Sequence, residues 1–337
     1  MIKKWKEYSG MSFYNHDHVQ QIDKLMADII KLKSPIVVGL DPVINRIPKV
    51  YFDAHANEVD DFKKISKVII DFNRDIIDSV AEIVPAVKPQ MAFYEMYGSQ
   101  GIIAFEETIR YAKKKGLLVI EDGKRNDIGN TALAYAQGHL GKVQIDGQRE
   151  KKNFDVDFLT VSSYLGKESI EPFIEVCKQY DKGIFVLVKT SNLGNEEIQN
   201  VVDKNGDTVS EMLAKYLHES AEDFYGTYGY SSIGAVIGAT YPSEAEKLRK
   251  IMKRNLFLVP GYGTQGGSAK SIVKCFNEDG LGALINASRS INYAFEAIYN
   301  VENCSKEAYR DTVRQATLTM KEEIYHELKK EYKQMSY

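Results

Sequence analysis

The 337-residue sequence has few cysteines, no long apolar run and no large excess of charge of one sign. Cys177, Cys275 and Cys304 lie far apart without C-x-x-C spacing. That pattern argues against a disulfide framework or a zinc site and favours a reducing compartment. No stretch approaches the roughly 20 apolar residues of a membrane span, and the first residues lack the apolar core of a signal peptide. We therefore predict a cytoplasmic protein with no membrane partner.

The charge balance also limits the partners that the protein could have. The net charge is −3 and the isoelectric point is near 6.1, so no overall positive field would attract nucleic acid or an anionic surface. Local basic runs at 113–115 and 149–152 are most simply solvated surface. With 44% hydrophobic and 27% charged residues, the composition is that of an ordinary globular enzyme or binding protein.

Short runs rich in β-branched residues alternate with amphipathic helical patterns along most of the chain. Near-continuous apolar strands alternating with helices indicate a parallel sheet that is covered on both faces. Eight such units favour a closed (β/α)8 barrel, the TIM barrel of the α/β class, over an open sheet. The predicted strands are 35–40, 85–89, 117–122, 157–161, 184–189, 233–238, 256–260 and 282–286.

Helical patterns extend the chain beyond the barrel at both ends. We predict a single (β/α)8 barrel domain over 1–337, with an N-terminal helical extension at 1–33, the barrel at 34–300 and a long C-terminal helix at 301–337. Two polar segments, 142–157 and 201–211, interrupt the alternation. The second contains Asn205-Gly206, a strong hairpin signal, and lacks the ligand spacing of a calcium loop.

Charged residues follow the first three predicted strands, where the active site of such a barrel lies. Side chains two apart on a strand share a face, which pairs Lys88 with Gln90 and Asp122 with Lys124. Asp127 and Thr131 lie one turn apart at a helix start. A surface ion pair could explain any one of these charges. It explains the whole group poorly, because charges at buried strand ends cost free energy unless they are paired or used. The charged group is Asp41, Lys88, Asp122, Lys124 and Asp127.

The late strands lead into a second polar group. Strand seven precedes a glycine-rich loop with Gly261, Gly263, Gly266 and Gly267, and strand eight precedes Ser288 and Arg289. Glycines expose backbone N–H groups and arginine offers forked charge-assisted bonds, so the pattern predicts a phosphate site, although the loop alone could be a simple turn. Strand five ends in Thr190, Ser191 and Asn192, which suit a planar polar group or a helix N-cap.

The segment "EDGKRNDIGNTA" at 121–132 resembles the D-x-K-x-x-D motif of the orotidine 5′-phosphate decarboxylase family. Segments such as "VVGLDP", "VKPQMAFYE", "FVLVKTSN", "LVPGYGTQGG" and "NASRSI" resemble other strand-end segments of that family, in the same order. The long chain, the K-T-S-N run and the leading helix resemble its bacterial branch with larger subunits. The resemblance implies conversion of orotidine 5′-phosphate to UMP, without cofactor or metal, in de novo pyrimidine biosynthesis by a homodimer.

The resemblance also implies roles for individual residues. Lys124 would stabilise a carbanion at C6 and protonate it, with Asp122 and Lys88 from the same subunit. Asp127, Ile128 and Thr131 would enter the site of the partner subunit. Asp41 would bind the ribose, and Thr190 or its neighbour Ser191 would read the base. The remaining substrate-binding residues, most of them for the phosphate, would be Gln90, Gln265, Gly266, Gly267, Ser288 and Arg289.

Two other functions remain possible for the sequence. One is a sugar-phosphate decarboxylase or aldolase on the same scaffold, such as 3-keto-gulonate-phosphate decarboxylase or hexulose-phosphate synthase, which would use Mg²⁺ and an enediolate. That chemistry would need a further carboxylate at the end of strand two, where Lys88 would instead repel a cation. The other is a non-catalytic binder of a phosphate ligand, which would not need the charged group.

Overall fold

The computed structural model describes residues 20–263, 268–332 and 335–336. Within these ranges eight parallel strands form a closed barrel, and the first strand pairs with both the second and the last. The predicted barrel and all eight predicted strands are confirmed. The strands are β1 Ile36–Leu40, β2 Ala86–Pro89, β3 Leu118–Arg125, β4 Phe158–Val161, β5 Gly183–Lys189, β6 Ser231–Ile237, β7 Asn255–Val259 and β8 Ala283–Ala287.

Helices surround the barrel and connect its strands. Their starts follow local capping chemistry: the Asp60 side chain accepts from the backbone N–H of Lys63, and Thr208 and Glu211 form a capping box. The α-helices are α1 Gln21–Leu32, α2 Lys49–Asp53, α3 Asp61–Val80, α4 Ala92–Glu95, α5 Gly98–Lys114, α6 Gly129–His139, α7 Glu171–Tyr180, α8 Glu196–Gln199, α9 Val209–Ser220, α10 Pro242–Ile251, α11 Ala269–Ile272, α12 Arg289–Asn292 and α13 Lys306–Glu331.

Helix α1 covers the N-terminal end of the barrel. Its apolar face belongs to the same buried cluster as the first inward-facing residues of several strands. Burial of that face against the barrel interior leaves the opposite, C-terminal end of the barrel as the open one. The cluster includes Ile22, Leu25, Met26 and Ile29 from α1 and Val37, Ala86, Leu118 and Leu284 from the strands.

Helix α13 lies along the flank of the barrel against α3. Tyr309 packs on Tyr51 and Phe72, with ring centroids 5.8 and 5.1 Å apart. Farther along α13, Glu323 accepts a hydrogen bond of 2.5 Å from the hydroxyl of Tyr262, which follows β7. The C-terminal helix therefore contacts both the hydrophobic core and the start of the loop predicted to bind phosphate.

The two polar segments form small surface structures. The first contains a two-stranded hairpin of Val143–Gln144 and Glu150–Lys151. In the second, an antiparallel bridge joins Val202 to Thr208, and the turn lies at the predicted Asn205-Gly206 position. None of the helices in the described part of the chain has the length and apolar character needed to cross a bilayer. All three cysteines are buried thiols.

Candidate active site

The C-terminal ends of the strands surround a cavity of about 460 Å³. The closed barrel brings together residues that are far apart in the sequence, because every parallel strand ends at the same rim. Most of the predicted site residues line this one cavity. They are Asp41, Lys88, Gln90, Asp122, Lys124, Thr190, Ser191, Ser288 and Arg289.

Asp122 is the centre of the charged group. Its Oδ2 accepts from Lys88 Nζ at 2.6 Å and from Gln90 Nε2 at 2.8 Å. Its Oδ1 accepts from Lys124 Nζ at 2.6 Å and from Thr160 Oγ1 at 2.9 Å. Four donors on one carboxylate fix its position and leave the two ammonium groups on opposite oxygens.

Burial and neighbouring charges shift the pKa values of Lys88 and Asp122. Lys88 is 3% exposed and Asp122 is 9% exposed. Burial alone would raise the pKa of the Asp122 carboxyl, but the ammonium groups of Lys88 and Lys124 hold it well below its usual range. Burial likewise disfavours the Lys88 ammonium, yet Asp122 and Asp41 outweigh it and raise the pKa of Lys88. The cavity therefore holds an ionised Lys88–Asp122 pair at neutral pH, with Lys124 on the other carboxylate oxygen.

The backbone at Lys124 departs from a regular strand. The register between β3 and β4 shifts between Glu121 and Arg125, and Lys124 has a φ of 45°, the left-handed region that few non-glycine residues adopt. The Lys124 N–H donates to Thr160 Oγ1 at 2.9 Å. Such a conformation costs about 1–3 kcal/mol and persists only where the surroundings impose it. Here it turns the Lys124 ammonium back over Asp122.

Asp41, directly after β1, is the second carboxylate that lines the cavity. Ser288 lies beside it, and the buried Asp41 Oδ1 has no hydrogen-bond partner among the described residues. Burial raises the pKa of Asp41 more than Lys88 and Ser288 lower it. Gly39 makes this arrangement possible, because a Cβ there would lie 1.9 Å from Ser288 Oγ. A buried acceptor without a partner suits a ligand hydroxyl.

The rest of the cavity wall consists of two polar regions and one apolar region. Thr190, Ser191 and Asn192 form one end, and Gly261, Tyr262 and Arg289 lie on the side of the late strands. Between them the wall is apolar, as a planar ring requires. The apolar residues are Leu187, Val236, Leu258 and Pro260.

Comparison with known proteins identifies the family of this chain. The model of the orotidine 5′-phosphate decarboxylase / HUMPS family matches residues 34–304. The chain belongs to this family. It is 41% identical to the orotidine 5′-phosphate decarboxylase of Rhodopirellula baltica, over 89% of this chain and 97% of the relative. It is 38% identical to the decarboxylase of Clostridium tetani, over 87% of this chain and 95% of the relative.

A solved member of the decarboxylase family shares the fold. The OMP decarboxylase of Leishmania donovani superposes with a TM-score of 0.69 at 26% identity, covering 92% of this chain and 99% of that one. The D-x-K-x-x-D motif of this family runs here from Asp122 to Asp127, across the end of β3.

Some predicted residues of this decarboxylase family member lie outside its own cavity. Asp127, Ile128 and Thr131 lie around the start of α6 and do not line the cavity. Ile128 and Thr131 are exposed. Gln265, Gly266 and Gly267 lie outside the described residues. The cavity within one described chain thus holds the Lys–Asp–Lys array and the ends of strands five and eight.

Two polar residues of the site were not predicted from the sequence. Thr160 in β4 contacts both Asp122 and Lys124, and Asn286 in β8 lines the cavity with its buried Oδ1 unpartnered among the described residues. Each is a single polar residue inside an apolar strand. The signal that could have identified them is their inward-facing register in the last half of a barrel strand.

Proposed function

We propose that this chain decarboxylates orotidine 5′-phosphate to UMP, the last step of de novo pyrimidine biosynthesis. The observation that carries the proposal is the Lys88–Asp122–Lys124 array that lines the cavity, in which Lys88 and Asp122 are buried. Two relatives named orotidine 5′-phosphate decarboxylase, at 41% and 38% identity, support the same substrate.

The reaction needs a positive charge beside C6 of the pyrimidine. When the bond between C6 and the carboxylate breaks, CO₂ leaves and the electron pair stays on C6 in an orbital in the ring plane. The ring π system cannot accept that pair, so a preorganised charge in a water-poor site must stabilise it. Lys124 supplies the ammonium, then transfers a proton from Nζ to C6 and completes UMP.

Asp122 and Lys88 hold Lys124 ready for that step. Asp122 binds both ammonium groups at 2.6 Å, so Lys124 is already oriented before the substrate arrives. Preorganisation matters here, because enzymes must supply roughly 8–23 kcal/mol of transition-state stabilisation and a reaction without an electron sink lies toward the upper end. Asp127 from the partner subunit would complete the alternation of charges.

The other cavity residues divide among the parts of the nucleotide. Asp41 accepts from a ribose hydroxyl with its unpartnered Oδ1. The segment Thr190–Asn192 reads the base beside the apolar wall. The phosphate is bound by Ser288 and Arg289, together with Gln265, Gly266 and Gly267. Binding energy from the phosphate contributes to turnover, so substrates that lack it lose rate as well as affinity.

The protein acts as a homodimer with shared sites. Asp127, Ile128 and Thr131 do not line their own cavity, which supports a role for them in the site of a second chain. Large apolar side chains are exposed on the loops that follow β2, β3 and β4, on the same side of the barrel. Several large apolar side chains exposed at one rim are what a protein interface would cover. These side chains are Met96, Ile128, Tyr164 and Leu165.

Mixed dimers test the shared site directly. Lys124→Ala and Asp127→Ala subunits, each inactive alone, are unfolded together and refolded at equal concentration. Half of the dimers then contain one site with both native residues, so about a quarter of the wild-type activity should return. No return of activity above the two parents would overturn the shared site, since sites confined to one chain cannot complement each other.

The alternative sugar-phosphate chemistry is disfavoured by Lys88. Its ammonium binds the central carboxylate where a divalent cation would need that carboxylate free. The test follows the ultraviolet absorbance of orotidine 5′-phosphate, with and without EDTA. In parallel, release of CO₂ from ketogulonate phosphate and of aldehyde from hexulose phosphate is measured under the same two conditions. We expect rapid, EDTA-insensitive turnover of orotidine 5′-phosphate. EDTA-sensitive turnover of a sugar phosphate alone would replace this proposal with its rival.

A further inference from the structure

The loop after β5 folds back onto the strand that it leaves. Two consecutive loop residues, Gln199 and Asn200, bind two consecutive residues at the strand end, Thr190 and Lys189. Gln199 Oε1 accepts from the Thr190 N–H at 2.9 Å, and Gln199 Nε2 donates to Thr190 Oγ1 at 2.9 Å. A paired contact of this kind fixes the backbone of the turn as well as its side chain.

The orientation of the Gln199 amide follows from hydrogen-bond chemistry. A backbone N–H can only donate, so the atom facing the Thr190 N–H must be the amide oxygen and the other atom must be the NH₂ group. Thr190 Oγ1 therefore accepts from Gln199, and its own proton is available to another acceptor. That acceptor is Asn192 Oδ1 at 2.6 Å. One loop side chain thus orders the segment from Thr190 to Asn192, which lines the cavity.

The neighbouring contact makes the arrangement rigid. Lys189 is 0% exposed, and its Nζ binds Asn200 Oδ1 at 2.6 Å and Glu244 Oε2 at 2.8 Å, over the ring of Tyr241. A buried ammonium is costly unless it is paired and hydrogen-bonded. Lys189 therefore fixes the position of Asn200, which places the adjacent Gln199 beside Thr190. Gln199 itself does not line the cavity.

We propose that Gln199 is a positioning residue for recognition of the pyrimidine, acting through Thr190 on the segment that reads the base. The inference rests on the proposed function, because it assigns the Thr190–Asn192 end of the cavity to the base. It predicts a specific pattern of loss. Ligands that carry a base should bind less tightly without Gln199, whereas ligands that consist of ribose and phosphate should be unaffected.

Binding measurements on Gln199→Leu test this pattern. Leucine keeps most of the volume but removes both hydrogen bonds to Thr190. We expect the Kd of UMP to rise about tenfold, the size of effect that one net hydrogen bond produces, while the Kd of ribose 5-phosphate stays unchanged. The matched control is Glu196→Ala, at an exposed position of the same short helix, which should leave both constants as in wild type. Unchanged UMP binding, or equal loss for both ligands, would overturn the proposal.

A double-mutant cycle separates action through Thr190 from a direct role. The double variant combines Gln199→Leu with Thr190→Val. If Gln199 acts through Thr190, the fold-loss of UMP affinity in the double variant should be smaller than the product of the fold-losses in the two single variants. Fully multiplicative losses would show that the two side chains act independently, which contradicts the inference. Failure of the proposed function is recognised separately, since wild-type protein would then neither bind UMP nor consume orotidine 5′-phosphate.

Discussion

Replacing Asp122 with asparagine removes the charge on which the whole array depends. Asparagine has one oxygen and one NH₂ group, whereas each oxygen of Asp122 now accepts from two donors. One pair of donors must therefore face another donor. Lys88 is 3% exposed and would lose its nearest counter-charge. Breaking a buried ion pair in this way costs about 3–5 kcal/mol, so we expect the free energy of unfolding to fall by that amount at pH 7.

Urea-induced unfolding at fixed protein concentration, at pH 7 and at pH 9.5, measures this loss. In wild type, Asp122 and Asp41 outweigh burial and keep the pKa of Lys88 raised. In Asp122→Asn the pKa of Lys88 should fall, since burial is less opposed. Because an uncharged amine is cheaper to bury, the deficit in unfolding free energy should shrink as the pH rises.

The control variant for this prediction removes both charges. Replacing Lys88 with Met and Asp122 with Leu removes the unpaired buried ammonium, so part of the lost stability should return. A stability equal to that of wild type in Asp122→Asn would refute the reasoning. An identical deficit at both pH values would refute it as well.

Two further predictions concern stability away from this array. Burial raises the pKa of Asp41, so ionising it costs stability as the pH rises. Asp41→Asn should therefore unfold less readily than wild type at pH 7, with a difference that disappears below about pH 4; a constant difference would contradict this. Buried Arg249 donates to four backbone carbonyls at the N-terminal end of the barrel. Arg249→Met should lower the free energy of unfolding by about 3 kcal/mol or more and leave KM unchanged; a raised KM would place Arg249 in the site instead.

The barrel itself could be predicted because its signals are local and repeated. Each strand is a short apolar run, and the charged residues follow those runs directly, so the barrel rule places Lys88, Asp122 and Lys124 at one rim. Helix boundaries were less accurate. The amphipathic pattern predicts one helix from 104, whereas α5 begins earlier, at Gly98. It predicts another from 206, whereas α9 begins at Val209, because Thr208 forms the capping box at its start.

The contacts that refine the site could not be predicted in the same way. Thr160 is a β-branched residue in a strand, which the sequence explains without any function. The left-handed backbone at Lys124 arises from a register shift between two strands, which no local pattern encodes. Gln199 lies nine residues after Thr190 in the sequence. It contacts Thr190 only because the chain between them folds back beside the buried Lys189.

The most direct test of the central claim compares turnover and binding in Lys124→Ala. Its matched control is Lys178→Ala, since Lys178 forms an exposed ion pair with Asp223 at the surface and should not affect the reaction. Loss of orotidine 5′-phosphate is followed by absorbance, and UMP affinity by calorimetry. We predict that Lys124→Ala abolishes turnover while UMP binding remains measurable. Turnover near that of wild type in Lys124→Ala would contradict the claim that this ammonium stabilises and protonates the carbanion.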